Sequence, residues 1–101
     1  MKILSILSLS VTALSSERND AAATEYCHSG CEPADQLPNG GCNDGMYGDP
    51  TDCNGYFLCW DNGRYGEKFV CTPGLVWNQR VLNCDWPYNL PEDDSCYSPW
   101  R

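Results

Sequence analysis

Three sets of side chains in this chain could do chemistry, and each points to a different kind of protein. Eight cysteines stand at Cys27, Cys31, Cys42, Cys53, Cys59, Cys71, Cys84 and Cys96. Thiols in such number either bind metal or pair as disulfides. Fourteen Asp and Glu accompany a single histidine, His28, which raises the question of acid–base work. Four Trp and six Tyr, several beside Asn or Asp, raise the question of ring stacking on a polar ligand.

Catalysis finds little support. His28 lies in a turn-rich segment, and the Ser and Thr of the sheet region are few: Thr51, Thr72, Ser95 and Ser98. No nucleophile–base pair can be assembled from them. Glycosidases need two carboxylates across a cleft. Asp49, Asp52, Asp61, Glu67 and Asp85 are available, but so short a chain has little wall for a deep cleft. Glu92-Asp93-Asp94 lacks the alternating ligands of a calcium loop. Cys27-His28-x-x-Cys31 is a poor zinc site, because the later cysteines are not arranged in paired knuckles. The chain is read as non-enzymatic, with no metal and no cofactor.

The aromatic residues are the better clue. A pyranose packs its C–H face on an aromatic ring, while amide and carboxylate side chains hold its hydroxyl or acetamido groups. Trp77-Asn78 and Asp85-Trp86 have this pairing and fall on the two arms of one expected hairpin. They could face one side together, or the two Trp could be the small core. Spacing alone does not choose between these.

The elements that must carry these residues are short. Met1-Lys2, the apolar run Ile3 to Leu14, and the small residues Ala13 and Ser15 have the pattern of a secretory leader over 1–15. The run is too short to span a bilayer. Export implies that the cysteines form disulfides, four in all. Each removes entropy from the unfolded chain, about 3 kcal/mol for a 15-residue loop. Without the leader the charge moves from −8 to −9, since Lys2 is lost and five basic residues face fourteen acidic ones. That balance removes the basis for gripping phosphate backbones or anionic membranes. The polar segment 16–26 reads as flexible, and 27–41 as a turn-rich, cysteine-containing extension with at most a short helical turn. Tyr56 to Trp60 and Tyr65 to Cys71 read as strands around Asn62-Gly63, a strong hairpin signal because both central residues need positive φ. Leu75 to Trp77 and Val81 to Cys84 form a second, shorter hairpin. A short tail, 97–101, follows Cys96. The fold class is a small disulfide-rich all-β domain.

The stretch 42–96 resembles the peritrophin-A type chitin-binding domain, carbohydrate-binding module family 14. The residues that carry the likeness are Gly45-Met46-Tyr47-x-x-Pro50-x-x-Cys53 and Tyr56-Phe57-x-Cys59 with Asn62-Gly63. Cys71-x-Pro73-Gly74-Leu75-Val76-Trp77-Asn78, Cys84-Asp85-Trp86-Pro87 and Cys96 complete it. The resemblance implies a three-stranded antiparallel sheet plus a two-stranded hairpin, with disulfides Cys53–Cys96 and Cys71–Cys84. The family's first cysteine joins Cys59. Two wirings follow. Cys42–Cys59 with Cys27–Cys31 is slightly favoured; Cys27–Cys59 with Cys31–Cys42 is similar to an eight-cysteine fungal effector of the family.

The resemblance also implies a partner, chitin or a chito-oligosaccharide, lying along the second hairpin. Trp77 and Trp86 would be its stacking rings, Asn78 a hydrogen-bonding neighbour and Asp85 an acceptor. Arg80, Asn83 and Tyr56 come next as secondary contacts, with at least one of Tyr56 and Phe57 in the core. The function read here is a secreted, extracellular chitin-binding protein. A single module would cross-link polymer only by self-association, promoted by ligand, or with a partner. The alternative is a secreted protein-binding module, inhibitor- or toxin-like, that keeps the scaffold without the sugar.

Overall fold

The computed structural model describes residues 20–99. The leader expected over 1–15 lies outside the described residues, as do 16–19 and the last two residues of the tail.

The description opens on a helix, α1 (Asp20–Ser29), where the sequence suggests a flexible segment. Its run of Ala is strongly helix-forming, and Asp20 sits favourably in the first turn. Ala23 and Cys27, four residues apart and therefore on one face, are both fully buried. An Ala/Cys stripe carries almost none of the bulk by which an apolar helix face is recognised, which is why the helix is hard to read from sequence.

Three antiparallel strands follow, β1 (Gly45–Gly48), β2 (Gly55–Trp60) and β3 (Tyr65–Val70), in the order β1-β2-β3. A separate two-stranded hairpin comprises β4 (Val76–Asn78) and β5 (Asn83–Asp85). This is the all-β class expected. The β2–β3 turn has Asn62 at φ 57° and Gly63 at φ 87°, as an Asn-Gly turn requires, with Asp61 left-handed as well. Side chains alternate along β2: Gly55, Phe57 and Cys59 are buried, while Tyr56, Leu58 and Trp60 face outward and are at least partly exposed.

Helix α1 covers the inner face at β3. The Thr24 hydroxyl donates to the Gly66 carbonyl at 3.3 Å, and the Lys68 amide donates to Asp20 Oδ1 at 3.0 Å. A Cβ on Gly66 would come within 2.5 Å of the Ala23 carbonyl oxygen and 2.7 Å of Cys27 Sγ. Gly66→Ala is expected to push the helix off and cost about 1–3 kcal/mol, the usual penalty of overpacking. A urea midpoint equal to wild type would refute this close approach.

All eight cysteines are paired: Cys27–Cys59, Cys31–Cys42, Cys53–Cys96 and Cys71–Cys84. The last two agree with the resemblance. The slightly favoured wiring of the others, Cys42–Cys59 with Cys27–Cys31, is corrected. The cause is α1, which lays Cys27 directly over β2 at Cys59. The Cys42 amide then donates to the Cys27 carbonyl at 2.9 Å, which draws the 31–42 loop closed and leaves Cys31 to meet Cys42. These four cysteines and Tyr47 form the core cluster, with Tyr26 packed against it. So the interior is built largely from sulfur, as a chain this small needs.

Lys68, opposite Phe57 on the inner face, reaches the loop between β1 and β2. Its ammonium lies 2.9 Å from Asp49 Oδ2 and 2.8 Å from Asp52 Oδ2. That loop carries Cys53, whose carbonyl accepts from the Trp77 amide at 2.9 Å. The lysine therefore braces the segment on which the second hairpin hangs.

Candidate carbohydrate-binding surface

The second hairpin pairs Val76 with Asp85, Trp77 with Cys84 and Asn78 with Asn83. Directly opposed residues share a face and successive residues alternate. Trp77 and Cys84 therefore occupy one face, and Asn78, Asn83 and Asp85 the other. The grouping of Trp77 with Asn78 on one side is excluded by this period of two.

Trp77 is 7% exposed. Its ring stacks on Tyr56, centroids 4.3 Å apart with 18° between planes, and Tyr56 stacks in turn on Phe69 at 5.6 Å. The indole N–H donates to Gln79 Oε1 at 2.7 Å. The same oxygen accepts from the Gly48 amide at 2.9 Å, and Gln79 Nε2 donates to the Met46 carbonyl at 2.8 Å. The Gln79 side chain thus caps the free edge of β1 as a third strand would. Trp77, expected as a stacking ring for sugar, is instead the ring that docks the hairpin on the sheet, and Tyr56 is its seat. Phe57, 2% exposed, is core.

Asn78 is also inside, at 4% exposed. Its Oδ1 accepts from the Arg80 amide at 3.1 Å and its Nδ2 donates to Asp85 Oδ2 at 3.1 Å. Both ends of the amide are engaged in holding the turn, and the side chain is enclosed. Asn83 and Arg80 are exposed on the turn side.

Trp86 is different. It is 47% exposed, and its ring lies almost parallel to that of Tyr88, 6° between planes with centroids 6.3 Å apart. A short 3-10 turn, Pro87–Asn89, sets this arrangement. Tyr88 and Asn89 belong to this candidate surface, and sequence reasoning did not single them out. The signal was weak: Pro87 directly after Trp86 favours a turn start, and such a turn brings Asn89 back onto Asp85.

Asp85 stands at the edge of this surface with its carboxylate held from three sides. Asn89 Nδ2 and the Trp86 amide each donate to Oδ1 at 2.8 Å, and Asn78 donates to Oδ2. These hydrogen bonds, Asn89 foremost, hold its carboxyl below the usual carboxylate range. The group is a fixed, charged acceptor at neutral pH. The polar cleft of about 300 Å³ beside Trp77 and Gln79 includes neither Asp85, Trp86 nor Tyr88 among its lining residues. It belongs to the junction between hairpin and sheet.

The sequence profile of the chitin binding Peritrophin-A domain matches residues 39–96, more than half of the chain. The chain belongs to the peritrophin-A chitin-binding family. Among similar proteins, "Probable chitinase 10" of Drosophila melanogaster is 37% identical over 60 residues, 58% of this chain and 2% of the chitinase. "Peritrophin-1" of Anopheles gambiae is 40% identical over 40 residues, 38% of this chain and 24% of that protein. "U-scoloptoxin(01)-Er1a" of Ethmostigmus rubripes is 39% identical over 46 residues, 45% of this chain and 38% of the toxin. This peritrophin-A chain therefore spans only a small part of the relatives it matches. No solved structure matches it. The profile begins at residue 39, so helix α1 with Cys27, and Cys31 just after it, precede the matched region.

Proposed function

We propose that this peritrophin-A domain is a secreted, non-catalytic binder of β-1,4-linked N-acetylglucosamine polymer, and that Trp86 and Tyr88 form the stacking surface. The observation that carries this is the exposed Trp86 ring, nearly parallel to the half-buried Tyr88, with the anchored Asp85 carboxylate beside it. An apolar C–H face of the sugar rests on the rings. Asp85 accepts from a hydroxyl or the acetamido N–H, and Asn89, Asn83 and Arg80 lie within the same segment as further polar contacts. Because the rings and the acceptor are already fixed, binding orders few groups, which favours affinity. Two rings on one flat site support an affinity of about millimolar to micromolar for short oligomers, or about −4 to −8 kcal/mol. Export is supported by the leader-like residues 1–15 and by the four disulfides. With this surface alone, cross-linking of polymer would need self-association or a partner.

Trp86→Ala is expected to weaken retention on chitin beads by about fivefold or more, taking the roughly 1–3 kcal/mol that an aromatic side chain contributes by stacking on a nucleic-acid base as the scale. Its thermal midpoint should stay close to wild type, because the ring is half-exposed. Full retention of the variant would overturn the assignment. The likeness to a scoloptoxin favours a second reading, a secreted protein-binding module on the same scaffold. A correctly folded wild-type chain that chitin beads fail to retain would support it.

A further inference from the structure

The structure assigns a second carbohydrate platform to the tip of the β2–β3 hairpin, made by Trp60 and Tyr65, so that one copy of the chain holds two glycan segments. These residues are direct cross-strand partners and therefore share a face. Their rings stack at 5.8 Å with 29° between planes, and they are 39% and 48% exposed.

The same sheet face shows what such a pair accommodates. Tyr56 and Phe69 are also direct cross-strand partners that stack. There the outer ring face is covered by a flat body, the Trp77 indole, at 4.3 Å. Trp60 lies four residues further along β2 on the same face, roughly 13 Å away at about 3.3 Å per residue. Its pair has the same cross-strand arrangement but remains exposed. An occupant must present a flat apolar face about one ring wide and polar groups around its edge. A sugar ring of the same polymer does both. The turn joining the two rings supplies the polar side: Asp61, Asn62 and Arg64 are exposed, and Arg64 Nε lies 3.7 Å from Asp61 Oδ2. The identity of the sugar rests on the proposed function; the existence of the platform rests on the rings.

The test is an NMR titration of the oxidised full chain with chitotetraose, read at the indole N–H of each Trp and across residues 60–65 and 83–89. Both segments are expected to shift, with different midpoints. Trp60→Ala/Tyr65→Ala should abolish the shifts at 60–65, leave those at 83–89 within about twofold of the wild-type midpoint, and eliminate clumping of chitin particles, since bridging needs two sites. Shifts at 83–89 alone would overturn the second platform and leave the proposed function standing. Shifts at 60–65 alone would support the platform and overturn the Trp86 site. No shifts at either would overturn both. Shifts at 60–65 accompanied by sedimentation as a dimer would also overturn it, because the rings would then be meeting a second copy.

Discussion

Trp77→Ala is expected to cost about 3–5 kcal/mol of folding free energy, the range for removing a buried large aromatic. The ring is almost wholly enclosed, stacks on Tyr56 and donates to Gln79. Its loss opens a cavity between hairpin and sheet and frees the Gln79 amide that caps β1. A domain of this size holds only about 5–15 kcal/mol in total, so the variant should unfold at a much lower urea concentration. Trp77→Phe keeps a ring over Tyr56 but removes the indole donor. It should lose less, about 1–2 kcal/mol, mostly the hydrogen bond. The contrast with Trp86→Ala is the diagnostic one. The Trp77 change should lower stability first and chitin retention only in proportion to the unfolded fraction; the Trp86 change should do the reverse. A Trp77→Ala protein with an unchanged urea midpoint and lost retention would show that the two indoles have been assigned the wrong way round.

Lys68→Met is expected to cost about 3–5 kcal/mol, because it leaves a carboxylate unpaired where water hardly reaches. The side chains of Lys68 and Asp49 are 11% and 6% exposed. Burial alone would raise the Asp49 pKa, but hydrogen bonds from the Thr51 amide, Lys68 and the Thr51 hydroxyl outweigh it and hold the carboxyl below its ordinary 3.8. Burial likewise opposes the Lys68 charge, yet hydrogen bonds to Asp52 and Asp49 raise its pKa above 10.5.

The consequences for pH follow by linkage. Asp49, with a depressed folded pKa, contributes stability above its unfolded value, and that contribution fades as pH falls through the folded pKa. Lys68, with a raised one, contributes fully below its unfolded value and loses that contribution as pH rises through the folded pKa. The wild-type pair therefore helps across the whole neutral range. In Lys68→Met the hydrogen bonds from the Thr51 amide and hydroxyl remain, but the lysine's share of the lowering is lost, so the Asp49 carboxyl moves up and its contribution at neutral pH shrinks. The deficit of the variant's urea midpoint relative to wild type should narrow as pH falls through the carboxylate range, where the wild-type pair loses its own contribution. A deficit that does not shrink with acid would mean that the missing stem of the lysine, rather than its charge, is responsible.

Much of the sheet was legible because its signals are local. Asn62-Gly63 between two β-rich runs specifies a hairpin through φ alone, and Tyr56-Phe57-Leu58-Cys59-Trp60 is rich in strand-forming residues. Helix α1 was not legible, because the stripe that packs it is Ala23 and Cys27, small side chains that succeed only against Gly66. The cysteine wiring followed from the same contact. Eight thiols in sequence admit roughly 105 pairings, and only the docking of α1 over β2 puts Cys27 at Cys59.

The candidate surface divides in the same way. Ring type and the neighbouring Asn and Asp suggest stacking on a polar ligand, and the family resemblance implies a place for it on the second hairpin. Which indole is covered is a different kind of fact. Trp77 and Trp86 look equivalent along the chain, each beside a polar partner on one arm of a hairpin. The sheet supplies Tyr56 and Gly48 as a seat for the first, while Pro87 turns the chain so that Tyr88 and Asn89 gather around the second. Backbone alternation and turns are encoded within a few residues, so the sequence displays them. Burial of a ring depends on a surface brought from some twenty residues away, and only the folded chain contains that.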